Sequence, residues 1–433
     1  MPRQRRQFVK ALVADREGEF FDLDDYAAVG MAGPELVPLL GRDTINMPFG
    51  GEHLFLPDRR PIVYDIATGK FEVLTSNPYA PGEPVYPVAA FNAPGYTISL
   101  VSAYAEEMDR APLPLFSYGA VGWLKGGFRV AAIRVDRERR QDLRLMPQDK
   151  IVEGIARLRR LMPSNRLRAH LETCALTYGC PAAKNFFLER CEGPLPTSVR
   201  CNARCHGCLS LQRESNIPST QKRIEFTPTP DEIAEVAVHH IGHTTRPVVS
   251  FGQGCEGEPL LAAKVIEPAI RLIRQATPRG TINMNTNASL PSAVDRLFEA
   301  GLDAIRVSMN SVRKGFYEAY FRPKGYSFKD VVASIDLAGH KGKFVSINYL
   351  NLPGFTDSKE EVAAFLSFLD HHPVQMIQWR NLNLDPVRYW QIMGHTGPLG
   401  ELIGMETVLE KVHEAFPGLK FGYFNPPKEK FGP

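Results

Sequence analysis

Residues 201–208 read CNARCHGC, with cysteines at the first, fifth and eighth positions of one short loop. Thiolates this close in sequence can take three corners of one iron–sulfur cube and leave its fourth iron without a protein ligand. Structural zinc sites are four-coordinate and closed, and their usual signature pairs one CxxC with another or with a histidine pair. Downstream of the motif the remaining cysteine is Cys255, and the nearest histidines are His239, His240 and His243. Zinc would therefore have to gather its ligands from scattered places. The chain's seven cysteines strengthen the metal reading, because six fall between residues 174 and 208 and none precedes residue 174.

Moving outward from the motif, the chain alternates strand and helix patterns. RPVVSF (246–251), TINMNTN (281–287), DAIRVSM (303–309), FVSINYL (344–350) and VQMIQW (374–379) are short, apolar and often β-branched. Parallel strands buried on both faces read this way. Helical stretches lie between them. One starts with Thr229 as N-cap, Pro230 at the first helical position and Glu232 completing a capping box. Residues 259–276, 291–301, 326–342 and 358–372 continue the pattern, with Gly301 as a C-cap. Repeated β-α units imply a parallel sheet with right-handed crossovers, either a barrel or an open doubly wound sheet. Five strands plus one leading into Cys201 give an expected six.

On the cysteine spacing and this alternation, residues 195–425 or so resemble the radical S-adenosylmethionine (radical SAM) superfamily, whose hallmark is CxxxCxxC in the loop after the first barrel strand. The resemblance implies an α/β fold, a partial (βα)6 TIM-like barrel, and a 4Fe–4S cluster on Cys201, Cys205 and Cys208. It implies S-adenosylmethionine as second cofactor. In GQGCEGEPLL, residues Gly257, Glu258 and Pro259 match the last three positions of the family's Gly-Gly-Glu-Pro-like segment, which binds the methionine amino group. A strand end without bulky side chains lets an ammonium approach backbone carbonyls, and Glu258 adds a charged acceptor. Taken alone, the segment also reads as a strand-to-helix turn with a capping glutamate. Further cofactor contacts implied by the family are Asn285 and Asn287 at the third strand end, Ser308 and Asn310 at the fourth, and Asn348 on the fifth. Each is equally readable as a satisfied core or turn residue. Two positions depart from the family pattern: Gly207 stands where many members have an aromatic residue, and Ala288 where a glycine is frequent. The implied activity is reductive cleavage of S-adenosylmethionine to a 5′-deoxyadenosyl radical, which abstracts hydrogen from a substrate that the sequence does not name. A flavodoxin or ferredoxin would supply the electron.

The expected organisation is a β-rich accessory region (1–146), a helical connector (147–192) and the core barrel (193–425). PIVYDIATGKFEVL reads as a hairpin about Gly69, and FRVAAIRVD (128–136) as a further strand. The connector is basic through Arg157, Arg159, Arg160, Arg166 and Arg168, which fits a solvated helix face or an RNA- or acid-binding patch. Over 433 residues the composition is ordinary for globular proteins, 44% hydrophobic and 23% charged, and the net charge of +3 signals neither nucleic acid nor membrane. No signal-like run opens the chain, and nothing approaches the roughly 20 apolar residues of a membrane helix. A cytoplasmic setting with reduced thiols is expected.

The other cysteines stay open at this level. Cys174, Cys180 and Cys191 suit buried thiols or an auxiliary cluster, while Cys255, three residues before Glu258, is a candidate catalytic hydrogen donor or a packing residue. The carboxy-terminal stretch from residue 394 carries no cysteine, so no auxiliary-cluster domain is expected there. Two alternatives remain: a non-catalytic zinc- or nucleic-acid-binding module, and an iron–sulfur electron carrier taking a fourth ligand from Cys191 or Cys255.

Overall fold

In a computed structural model the described residues are 7–106, 110–212 and 216–432; the basic first six residues lie outside them. The chain forms two compact units. One comprises Asp136–Leu350, Ala364–Trp379 and Ala415–Pro433; the other comprises Met1–Val135, Asn351–Ala363 and Arg380–Glu414.

The first unit is built on a seven-stranded parallel sheet in chain order: β1 (Glu192–Pro194), β2 (Val248–Phe251), β3 (Thr281–Thr286), β4 (Ala304–Met309), β5 (Phe344–Asn351), β6 (Met376–Asn381) and β7 (Lys420–Gly422). One strand more than expected is present, because β7 contributes only three residues. Alternation along the strands sorts the side chains by face. Val249, Ile282, Met284, Ile305, Val307, Val345, Ile347 and Ile377 are fully buried on one face. The other face is polar and carries Ser250, Asn283, Asn285, Arg306, Ser308, Asn348 and Gln378, linked by hydrogen bonds that mark it as the inner face of a barrel. The ladder joins each strand to the next from β1 to β7. Asn425, just past β7, reaches back across that opening: its amide nitrogen donates to Glu192 on β1 (2.7 Å) and lies 3.2 Å from both Ser250 and Asn285.

Helices in this unit are α1 (Gln148–Leu161), α2 (Arg166–Leu176), α3 (Pro181–Phe187), α4 (Pro230–His243), α5 (Ala263–Ala276), α6 (Pro291–Ala300), α7 (Lys314–Phe321) and α8 (Phe328–His340). α4 starts as its sequence dictates: Thr229 Oγ1 accepts from Glu232 N at 3.2 Å, and the Glu232 carboxylate accepts from Thr229 N at 2.8 Å. Gly301 takes a left-handed φ of 117° and ends α6. A ninth helix, α9 (Lys359–His371), packs Phe365 on Tyr349 and Trp379.

The second unit is an antiparallel sheet of mostly short strands around one long strand, Phe20–Ala32, over a core that includes Leu12, Val88, Val121 and Val130. The expected hairpin forms from Arg59–Asp65 and Lys70–Val73, pairing Ile62 with Val73 and Tyr64 with Phe71. FRVAAIRVD is not one strand but two, Gly127–Val130 and Ala132–Arg134. The later chain segments are tied in by Asp385, the N-cap of α10 (Pro386–Thr396). Its carboxylate accepts from Leu113 N at 2.9 Å and Tyr104 Oη at 3.2 Å, and faces buried Arg59 at 3.7 Å. Among the described residues no helix is long and apolar enough to cross a membrane.

Candidate active site

The loop after β1 carries the three motif cysteines, and backbone bonds fasten it to the end of α7. Arg204 N donates to Phe321 O (2.9 Å), His206 N to Tyr320 O (3.2 Å) and Lys324 N to Asn202 O (2.8 Å). Arg322 Nε adds a bond to Arg204 O at 2.7 Å. Cys201, Cys205 and Cys208 line one cavity of about 110 Å³, shared with Arg204, Arg223, Arg322 and Lys324. Among the described residues its lining offers no imidazole, no carboxylate and no fourth thiol. Arg223 Nη2 lies 3.5 Å from the Cys208 sulfur. Burial, helped by the charge of Glu258, pushes the Cys201 thiol up to about 11, and burial holds Cys205 well above the thiol range. Thiolates are held in such a place only when positive charge meets the sulfurs, which a metal supplies. Three thiolates, a basic rim and, among the described lining residues, no imidazole, carboxylate or fourth thiol fit a cluster with one open iron.

The loop after β2 is clamped by Glu256, which sequence reading did not single out. One carboxylate oxygen accepts from Thr197 N and Ser198 N, both at 2.8 Å; the other accepts from Gly252 N (2.7 Å) and Gln253 N (2.8 Å). Four donors fill its acceptor capacity and bind the exit of β1 to the exit of β2. Gly257 N donates to Ser198 O at 2.7 Å and Glu258 N to Arg200 O at 2.8 Å, so the loop lies directly on the chain entering Cys201. A side chain on Gly257 would overlap the Arg200 carbonyl, and one on Gly252 (φ 78°) the Asn285 carbonyl. Glycine at both places is a matter of close backbone approach.

Glu258 is buried and works mainly within the chain. Its carboxylate accepts from Leu260 N (3.1 Å), Asn287 N (2.8 Å) and the Thr286 hydroxyl, leaving about one of its four acceptor positions open. Burial pushes both Glu256 and Glu258 up to about 7. Pro259 opens a short 3-10 turn, Pro259–Ala262, that leads into α5.

The remaining predicted residues divide into groups. Asn287 joins the loops, since its amide donates to Asn202 Oδ1 at 2.8 Å. Asn285 points into the barrel, donating to Gly252 O (2.9 Å) and accepting from Asn283 (2.9 Å). Ser308 and Asn348 meet across β4 and β5 at 3.2 Å, both partly exposed. Asn310 is fully buried with its amide on Phe316 O (3.3 Å), at the start of α7. Ala288 adopts φ 55°, the left-handed conformation in which glycine is at ease, at the position where the resemblance expects glycine.

Cys255 is 5% exposed and packs against α2, its sulfur 3.5 Å from His170 Nε2. Cys174 lies on the same nitrogen at 3.5 Å, whereas Cys191 is elsewhere, 3.9 Å from Arg140 O. Neither Cys191 nor Cys255 lines the motif cavity, so the fourth ligand that an electron carrier needs does not come from them. His170 was missed in the sequence, although its i, i+4 spacing to Cys174 on a helix was a readable signal.

Residues 195–366 match the family model described as "Radical SAM superfamily". This stretch is a radical SAM domain. Superfamily members bind a 4Fe–4S cluster and S-adenosylmethionine, the group for which the thiol cavity has the right donors. Among curated proteins, GTP 3′,8-cyclase of Chlorobaculum tepidum is 28% identical over 223 residues, which cover 51% of this chain and 60% of that protein. Mouse molybdenum cofactor biosynthesis protein 1 is 26% identical over 51% of this chain and 32% of its own length. The FeMo cofactor biosynthesis protein NifB of Klebsiella pneumoniae is 26% identical over 38% of each. The radical SAM match thus spans 60% or less of these relatives. Of solved structures, Streptococcus suis SuiB aligns at TM-score 0.37 and 13% identity over 72% of this chain and 69% of that one.

Proposed function

We propose that this chain is a radical SAM enzyme that cleaves S-adenosylmethionine reductively at a cluster held by Cys201, Cys205 and Cys208. The observation that carries the reading is the motif cavity: three thiols, a basic rim and, among the described residues, no imidazole, carboxylate or fourth thiol in the lining. When bound, the two cofactors supply a 5′-deoxyadenosyl radical that abstracts hydrogen from the substrate. The protein's part is to hold, orient and exclude water. Gly257 and Pro259 shape a strand exit whose carbonyls receive the methionine ammonium, and Glu258 aligns that exit through Thr286 and Asn287. Asn287 passes the alignment to the cluster loop through Asn202. Asn348 Oδ1 is buried and has no hydrogen-bond partner among the described residues, which suits a ribose hydroxyl beside Ser308. Asn285 supports the same wall from inside the barrel. Asn310 acts through the turn into α7. The core of this enzyme is residues 193–425, preceded by the connector (147–192) and the accessory region (1–146), in a cytoplasmic setting. The electron comes from a flavodoxin or ferredoxin. The substrate is left open, since the names of the relatives point to different chemistries.

Anaerobic loading of the full chain with iron and sulfide tests this. The reduced protein should show a paramagnetic resonance spectrum that changes when S-adenosylmethionine is added, and it should release 5′-deoxyadenosine. An unchanged spectrum together with no nucleoside release refutes the assignment.

A further inference from the structure

His170 and Cys174 stand one helical turn apart on α2 and face the loop that ends β2. Their side-chain donors and the sulfur of Cys255 all lie within 4.8 Å of one another. Both sulfurs contact the same atom, His170 Nε2, each at 3.5 Å. Cys174 and Cys255 are buried, and His170 is half-buried with the Phe226 ring edge-on at 6.3 Å. Ile224 N donates to the Cys255 carbonyl at 2.7 Å, so residues 224–226 cover the group.

One imidazole nitrogen offers either one lone pair or one proton, so it can pair with only one of two thiols at a time. A metal ion satisfies all three donors together. The distances fit one ion: zinc with bonds of about 2.05 Å to nitrogen and about 2.3 Å to sulfur holds a tetrahedral N···S pair about 3.6 Å apart and an S···S pair about 3.8 Å apart. The motif thiols Cys201, Cys205 and Cys208 form no group this tight, as expected of ligands to separate irons of a cube.

We propose that His170, Cys174 and Cys255 form a mononuclear zinc site, separate from the cluster. Zinc(II) binds as the two thiols give up their protons to solvent, with no change of oxidation state. The fourth position falls to solvent or to Cys180, whose N–H donates to the Cys174 carbonyl at 3.0 Å and whose thiol would then give up its proton as well. The ion staples α2 to the β2 exit, and Cys255 is thereby a metal ligand rather than a hydrogen donor. This site stands on its own geometry and does not depend on the radical SAM activity.

The test uses the full-length chain with Cys201→Ala, Cys205→Ala and Cys208→Ala, so that metal at the motif cannot be mistaken for metal here. Under reductant, cobalt(II) should bind at about one per chain, with thiolate-to-cobalt charge-transfer bands and the strong visible bands of a tetrahedral ion, and zinc should displace it. Adding Cys174→Ser or Cys255→Ser should abolish or at least halve the charge-transfer bands, and His170→Ala should weaken cobalt binding tenfold or more. Cys191→Ser, which alters a distant thiol of the same window, should leave the spectrum unchanged. Far-UV circular dichroism confirms that each variant is folded. A cobalt spectrum without thiolate bands, or bands indifferent to Cys174→Ser and Cys255→Ser, or bands lost equally with Cys191→Ser, overturns the proposal.

Discussion

Two trios of side chains in the same unit offer sulfur to metals, and they differ in how the chain brings them together. The motif trio sits on eight consecutive residues and converges on an open cavity with a basic rim. The His170 trio is assembled from a helix and a loop 81 to 85 residues apart and is packed tight enough for a single ion. Local sequence suffices for the first; the second exists only once Glu256 has pinned the β2 exit in place. Spacing between donors, more than donor type, separates a cluster site from an ion site.

The largest effect expected is from Cys205→Ala. Iron loading should fall from about four per chain to near zero and nucleoside release to background, while zinc at the His170 trio is retained. Loss of both metals together would erase the distinction between the two sites. Gly257→Ala comes next, because the added methyl meets the Arg200 carbonyl. With the cluster still loaded, 5′-deoxyadenosine formation should fall on the order of 100-fold, consistent with a few kcal/mol of misplacement. Full activity in this variant would show that the loop tolerates the shift.

A smaller effect concerns pH. Burial raises Glu256 and Glu258 from 4.5 to about 7 in the folded chain, so between these values the folded state binds more protons than the unfolded state. Stability is therefore greatest below about pH 4.5 for this contribution, and it is lost as pH rises through 7. Urea titrations at pH 5 and pH 7.5 should show a decline of about 1–3 kcal/mol, and Glu258→Gln should flatten part of it. An equal slope in the variant would mean that Glu258 is ionised throughout. The smallest effect is from Arg223→Gln, which removes a donor near the Cys208 sulfur. It should lower the cluster's reduction potential by some tens of mV, as measured by spectroelectrochemistry. No shift would place Arg223 outside the cluster's electrostatic reach.

What the sequence made legible was local. The cysteine loop, the Thr229 capping box, the Gly301 cap and five buried strands each rest on a few neighbouring residues. β1 was expected only from its place ahead of Cys201, and β7 was not readable as a strand at all, because three residues such as Lys420–Gly422 carry no periodicity and their pairing comes from the sheet around them. α7 and α10 were also missed; the buried Arg59–Asp385 pairing that anchors α10 joins residues more than 300 positions apart. Within the site, the glycines and Glu258 were visible as a motif. Glu256 was not, since four backbone donors from two loops define its role.

The last residues have a consequence of their own. Lys428 N bonds Thr281 at the start of β3 (2.6 Å), Phe431 stacks on Phe344 at the start of β5 (4.2 Å), and Phe431 joins Ala304 and Met376 in one apolar cluster. The chain end thus lies across the amino-terminal ends of the strands as a stopper. Whatever is held at the carboxyl-terminal ends of these strands therefore has a packed aromatic plug beneath β4, β5 and β6. Removing residues 424–432 should unseat that stopper and let water in from beneath.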